Sequence, residues 1–320
     1  MGPGIAQVFA ACGHRVQVYN RSPERLASVH ERIRGNLIQM AEYGLADANE
    51  IGRVVERVTT TTDLAEACAG AAVVIESITE SLPLKQELFA ELDKLCPPET
   101  ALCSNTSVIS IKQIGALTAH PERVVGTHFY QPPFLVPLVE VVSTDVADRR
   151  QVERVFHLMK EAGKVPVYVR KDVPGFVANR MQHALWREAF ALIDEGVCDA
   201  ETVDIAVSNS FGMRLPVLGP VANADLVGLD LSLAIQDYVL PHLDTSTRAS
   251  STMRKHVEAG ELGFKTGSGF LQWTPASIAE TRKKLTTHLM EHLSKNKRGG
   301  GEPRDQTSSS NTEPTRRELA

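Results

Sequence analysis

The strongest constraint on this chain is a rhythm. Over roughly its first 170 residues, short apolar runs of strand type alternate with amphipathic stretches of helical period. Ile5, Val8, Phe9 and Cys12 recur at helical spacing, Gly13 stops the helix, and Val16 and Val18 alternate on the way to Asn20. Ala72-Val73-Val74-Ile75 reads as a buried strand, Leu88 to Leu95 as part of the next helix, and Ala101-Leu102-Cys103 and Val124-Val125-Gly126 as further strands. A helix over 148–162 and a strand over Val165 to Val169 complete the series. Units of this kind bury both faces of a sheet only when the strands run mainly parallel with helices on both sides. The spacing therefore predicts an α/β, doubly wound parallel sheet.

The pattern changes at Asp172-Val173-Pro174-Gly175, a turn signal. Beyond it strands become scarce. Val177, Met181, Leu185, Ala189 and Leu192 return at helical spacing until Gly196, and similar segments run to about residue 293. The sequence thus predicts an α/β domain over 1–171, a second, all-helical domain over 172–293 and a disordered tail over 294–320. Between Lys295 and Arg317 no hydrophobic residue occurs, and such a segment cannot repay its ordering entropy. With 34 basic and 39 acidic residues the net charge is -5, which argues against nucleic acid or an anionic membrane as the main partner. No apolar run approaches the roughly 18 residues of a membrane span and no secretory signal opens the chain, so a cytoplasmic location is expected. Cys12, Cys68, Cys96, Cys103 and Cys198 form no C-x-x-C, so free thiols and no metal site are expected.

The chain opens at Met1-Gly2-Pro3-Gly4-Ile5-Ala6-Gln7, already at a helix. Glycines at a helix start, followed by a strand that ends in a polar residue, are what a dinucleotide requires. Only glycine lets the backbone approach a pyrophosphate at the helix N-terminus, and the end of the second strand meets the ribose. Gly2 is then the last glycine of a G-x-G-x-x-G fingerprint whose first two glycines, with the first and central strand, would precede Met1. Without that strand two rows of ladder groups are exposed, each costing about 1–3 kcal/mol if buried unpaired. The expectation is a start upstream by on the order of 10 residues. Where a carboxylate commonly accepts from the ribose hydroxyls, this chain has Asn20-Arg21-Ser22. A neutral side chain followed by a guanidinium tolerates or attracts a 2′-phosphate, so the cofactor is read as NAD or NADP, with NADP slightly favoured.

Three segments carry the chemistry: Ser104-Asn105-Thr106-Ser107 after a strand, Gly126 to Pro133, and Pro137 to Val142. Glu140 sits inside an apolar run, where a carboxylate is costly unless partnered, and His128 lies 12 residues earlier at a strand end. A His–Glu dyad gives an imidazole that is oriented, made more basic and able to accept a hydroxyl proton near neutral pH. A lone buried histidine is ordinarily a satisfied core residue. The carboxylate, the Ser-Asn-Thr-Ser turn and the cofactor half-site together favour the catalytic reading.

With these residues in place, residues 1 to about 275 resemble the L-3-hydroxyacyl-CoA dehydrogenase family. The resemblance runs through Met1 to Gln7, Glu76 to Glu80 with Lys85, Ser104 to Ser107, His128 to Pro132, Leu138 to Val142, Asp172 to Arg180 and Gly263 to Phe270. It implies a Rossmann sheet, apparently without its first strand, and transfer of hydride between the 3-hydroxyl carbon of an L-3-hydroxyacyl-CoA and the nicotinamide. By resemblance His128 is the general base, Glu140 its partner, and Ser107 and Asn179 bind the substrate oxygen. Glu80, Lys85 and Asn105 match cofactor-contacting positions beside Gly2, Asn20 and Arg21. A homodimer through the helical domain is likewise implied.

Two departures bear on substrate. Gln131 stands where the family usually has Asn, so it joins the cofactor-contacting set with a longer side chain. The helix over Leu26 to Tyr43, lysine-rich in acyl-CoA members, has no lysine and offers Arg32 and Arg34. This helix, Gly212-Met213-Arg214 and Leu218-Gly219-Pro220 also resemble relatives that oxidise free hydroxy compounds such as gulonate, carnitine or pyridine alcohols. Arg214 then meets a substrate carboxylate or, equally, forms an ordinary ion pair. The alternatives are thus a dehydrogenase of a free hydroxy acid or alcohol, and a catalytically impaired binding or structural relative.

Overall fold

The computed structural model describes residues 1–298, which form two compact units. The first comprises Met1–Phe176 together with residues 285–298. In order it contains α1 (Gly2–Ala11), β1 (Val16–Tyr19), α2 (Pro23–Ala27), α3 (Val29–Glu42), α4 (Ile51–Glu56), β2 (Val58–Thr61), α5 (Leu64–Cys68) and β3 (Val73–Glu76). There follow α6 (Leu82–Leu95), β4 (Ala101–Ser104), α7 (Ile111–Ile114), β5 (Val124–Phe129), β6 (Leu138–Val142), α8 (Arg149–Glu161) and β7 (Val165–Val169). The second unit, Val177–Lys284, contains α9 (Ala178–Asp194), α10 (Ala200–Ser208), α11 (Pro220–Val227), α12 (Leu229–Val239), α13 (Ser251–Glu258) and the start of α14 (Pro275–Arg298).

The architecture of the first unit is the doubly wound one, with its sheet interrupted. Among the described residues β1 pairs only with β2, in parallel, while β3-β4-β5-β6-β7 form a second sheet that is parallel except at β5–β6. β1 and β3 face each other across a cavity of about 1640 Å³, lined by Val16–Tyr19, Val73–Glu76, Phe9 and Leu92. This interruption falls where the doubly wound order places its first strand. Its effect is visible in burial: every residue of β4 is buried, whereas β1 is half-exposed along its length and β3 is buried only at Glu76.

Strand alternation sorts side chains onto the two faces. Ala101, Cys103, Val125, Phe129, Val139 and Val141 point into a core closed by Ile5 and Val8 of α1 and by Val155 and Met159 of α8. Leu102, Val124 and Val142 point the other way, onto Phe89, Leu92, Ile111 and Ile114 of α6 and α7, with Phe176. Gly126 makes that second face possible, because a Cβ there would lie 2.7 Å from Val142 and 2.9 Å from Ile111.

The unit boundary lies at Phe176/Val177 rather than at 171/172. The Asp172 carboxylate accepts hydrogen bonds from Ser110 Oγ and Lys112 N, and Phe176 is buried in the second core, so both stay with the first unit. α14 runs past 294 to Arg298, with Met290 and Ser294 buried and Lys297 Nζ donating to the Gly44 carbonyl at 3.1 Å. The rest of the expected tail lies outside the described residues. Among the described residues no helix is long and apolar enough to cross a membrane, and no cluster could hold a metal ion.

Candidate active site

The centre of the site is a cross-strand pair. β5 and β6 run antiparallel in a register that sets His128 directly opposite Glu140, the spacing at which side chains of neighbouring strands meet. Both project to the face shared with Phe176, since Phe129, Val139 and Val141 occupy the other. His128 Nδ1 lies 2.8 Å from Glu140 Oε2, with side-chain exposures of 4% and 0%. Burying a carboxylate is costly without donors, and Tyr130 Oη also donates to Oε2, at 3.2 Å. The Tyr130 ring leans on the imidazole at 4.4 Å between centroids, and the Phe176 ring meets it at 5.8 Å. Phe176 is held there with φ at 49°, left-handed backbone that costs a non-glycine residue on the order of 1 kcal/mol or more.

A second polar network occupies the ends of β3 and β4. Lys85 Nζ donates to Glu76 Oε1 at 2.7 Å, with both side chains 1% exposed, and reaches Glu80 at 3.4 Å. Ser104 Oγ donates to Glu76 Oε2 at 2.7 Å, and the backbone N–H of Ile78 donates to Oε1 at 2.6 Å. Glu80 in turn accepts from Thr106 Oγ1 and from the amides of Ser107 and Val108. Burial pushes the Glu80 carboxyl up, but the Thr106 hydroxyl, the Lys85 charge and the Val108 amide outweigh it and hold it below the usual range. Asn105 joins the two networks: its Oδ1 accepts from Phe129 N at 2.7 Å and its Nδ2 donates to Ser77 Oγ at 3.3 Å.

The sequence-predicted cofactor residues fall into three groups. Gly2, Asn20 and Arg21 line the cavity between β1 and β3 together with Glu76 to Thr79. Glu80, Lys85 and Asn105 belong to the adjoining network, and Gln131 is exposed on the turn after β5. Asn20 Oδ1 accepts from Ser22 N at 2.9 Å, which leaves Arg21 exposed at the rim. Gly2 has open space where a Cβ would stand, at the start of a helix whose first turn has no side-chain cap. Gly4 is the glycine that packing demands, since a Cβ there would lie 2.7 Å from Pro133. Ser107 is exposed on the turn after β4, and Asn179 is buried in the first turn of α9 in the second unit.

Four participants carried no role in the sequence reading. Tyr130 follows His128 by two, the strand period that returns it to the same face. Glu76 ends a strand nine residues before Lys85. Gly4 and Phe176 gave no comparable signal beyond lying in a Gly-Pro-Gly start and after a Pro-Gly turn.

Comparison with known proteins gives a consistent picture. Residues 1–173 match the family model described as 3-hydroxyacyl-CoA dehydrogenase, NAD binding domain, and residues 175–273 match its C-terminal domain. A probable 3-hydroxybutyryl-CoA dehydrogenase of Bacillus subtilis is 38% identical over 274 residues, covering 85% of this chain and 94% of that protein. A 5-formyl-3-hydroxy-2-methylpyridine 4-carboxylate 5-dehydrogenase of Mesorhizobium japonicum is 35% identical over 292 residues, 89% of this chain and 93% of that protein. The crystal structure of a dehydrogenase of that same pyridine acid, described as an NAD+ dependent dismutase, superposes with a TM-score of 0.86 at 30% identity, covering 94% of this chain and 96% of the other.

Proposed function

The chain belongs to the 3-hydroxyacyl-CoA dehydrogenase family, and from that premise we propose that it is an NAD-dependent oxidoreductase acting at a hydroxyl-bearing carbon, with His128 as base and Glu140 as its partner. The observation that carries this reading is the buried 2.8 Å contact between Nδ1 and Oε2. With Nδ1–H donating to the carboxylate, Nε2 keeps its lone pair for the substrate hydroxyl. As the hydroxyl proton passes to Nε2, positive charge forms beside an anion already in place, in surroundings that screen it little. A bound nicotinamide supplies the acceptor for the hydride that leaves the same carbon. In the reverse direction His128 returns its proton to the carbonyl oxygen. Ser107 and Asn179 are assigned to hydrogen bonds with that oxygen.

Gly2, Asn20, Arg21, Glu80, Lys85, Asn105 and Gln131 are the residues assigned to the dinucleotide. The family's domain takes NAD, while exposed Arg21 beside Asn20 is the feature that would admit the 2′-phosphate of NADP, so both cofactors belong in the assay. The substrate we propose first is a short L-3-hydroxyacyl-CoA such as 3-hydroxybutyryl-CoA, as named for the Bacillus subtilis relative. A free hydroxy acid or pyridine alcohol is the second reading. It is supported by α3, which exposes Arg32 and Arg34 and has no lysine for a CoA phosphate, and by the fit over 94% of this chain to a pyridine-carboxylate dehydrogenase. The apolar side chains exposed on α12, among them Leu233 and Tyr238, support a homodimer through the second unit.

The test is a panel of 3-hydroxybutyryl-CoA, carnitine, gulonate and a pyridine alcohol acid, followed by reduced-nicotinamide absorbance with each cofactor. Turnover that His128→Ala abolishes while cofactor binding survives is expected. Absence of turnover with every substrate would leave a non-catalytic relative as the better description.

A further inference from the structure

Resting on the base role given to His128, we propose that Tyr130 is a positioning residue that moderates how strongly Glu140 charges the imidazole. Two donors share one carboxylate oxygen: His128 Nδ1 at 2.8 Å and Tyr130 Oη at 3.2 Å, both on Oε2. A phenol donating to an ionised carboxylate stabilises the anion and draws off part of the charge that an imidazolium beside it would otherwise feel. The same arrangement restrains geometry. Glu140 cannot turn its Oε2 away from the ring without breaking both bonds, and the Tyr130 ring, 4.4 Å from the imidazole centroid, blocks the ring from following.

The imidazole thus faces a carboxylate oxygen that is shared with a phenol and held in direction by it. A proton transfer that must run both ways is served best by a base whose proton affinity lies near the working pH, which is what a second donor on the carboxylate would tune.

Charged groups at the neighbouring strand ends are engaged in other bonds. At the ends of β3 and β4, Glu76, Lys85 and Glu80 bind one another together with Ser104 and Thr106. Asp172 accepts from Ser110 and Lys112, and Lys164 donates to the carbonyls of Pro133 and Val136. On β7 the residue opposite Glu140 is Val167, and Phe176 meets the ring without charge. Tyr130 is a neutral donor to the dyad whose hydroxyl can be deleted with its ring kept.

Tyr130→Phe keeps the ring and its packing and deletes only the hydroxyl. Two measurements are made on the full chain: the titration of His128 by 15N-histidine NMR without cofactor, and the pH profile of kcat/KM for the best substrate of the panel. The expected result is a His128 midpoint raised by about 0.5 to 1 pH unit relative to the unsubstituted protein, with the acidic limb of kcat/KM moving up beside it. An unchanged or lowered midpoint would overturn the proposal, since a ring that only packs leaves the titration where it was. A raised midpoint with an unmoved acidic limb would uphold the role of Tyr130 and instead remove His128 as the base.

Discussion

Glu140→Gln isolates the charge of the dyad from its geometry. In the substituted protein Tyr130 Oη still presents a donor to the position of Oε2, so the amide settles with its oxygen toward both Tyr130 and His128 and the Nδ1–H tautomer survives. What disappears is the negative charge. At 2.8 Å between groups 4% and 0% exposed, Coulomb's law with an effective dielectric near 20 gives roughly 6 kcal/mol for a full imidazolium. With about half of that charge developed in the transition state, about 3 kcal/mol is lost, a reduction in kcat/KM of roughly a hundredfold or somewhat more. Stability should hold or rise, because a buried charge has been replaced by a neutral group of the same shape. The assay is kcat/KM on the pH plateau together with urea unfolding of the same preparation. A loss under about tenfold in a fully folded variant would refute the claim that this carboxylate stabilises charge during turnover.

Three further outcomes are expected. Lys85→Met strands the Glu76 carboxylate with only Ser104 Oγ and the Ile78 amide, and should cost about 3–5 kcal/mol in urea unfolding, most of it recovered on adding Glu76→Gln; a cost below about 1 kcal/mol would contradict a structural ion pair. Lys164 is driven down by burial to about 8. Between that value and the unfolded lysine's roughly 10.5 the unfolded chain holds more protons, so stability should rise with pH by roughly 3 kcal/mol across the window, relative to Lys164→Met. Urea unfolding of both proteins at the two ends checks it, and parallel stabilities would contradict the buried ammonium. Finally, the proposed homodimer should give a dimeric mass for the parent in light scattering at micromolar concentration and a monomeric one for Leu233→Glu combined with Tyr238→Glu, because charge on an apolar interface is left unpaired; a monomeric parent or an unchanged dimeric mass would exclude this face.

Much of this protein is legible in a single line of residues because hydrophobic period is a local property. The runs at Val16, Val73, Ala101, Val124 and Val165 announce strands, and the shift to helical spacing after Pro174 announces the second unit. The strand Val58–Thr61 escapes that reading, since three threonines follow its one valine and the buried fourth position, Thr61, is bonded by its side chain to Glu66 and Asp63 and pairs with β1. The site residues show the same division. Residue type and spacing single out His128 and Glu140 as candidates, whereas Ser107, Asn179 and Lys85 enter through the family resemblance. That Lys85 is enclosed with Glu76, that Tyr130 shares an oxygen with His128, and that Phe176 takes left-handed backbone to reach the ring are consequences of how distant segments close on one another. Alternation says which side of a strand a residue occupies and is silent on its opposite number. The pairing of His128 with Glu140 depends on an antiparallel register between strands separated by the eight residues 130–137, and the interruption between β1 and β3 depends on which edges find partners. Both are decided by long-range hydrogen bonding and packing, terms that no local period contains.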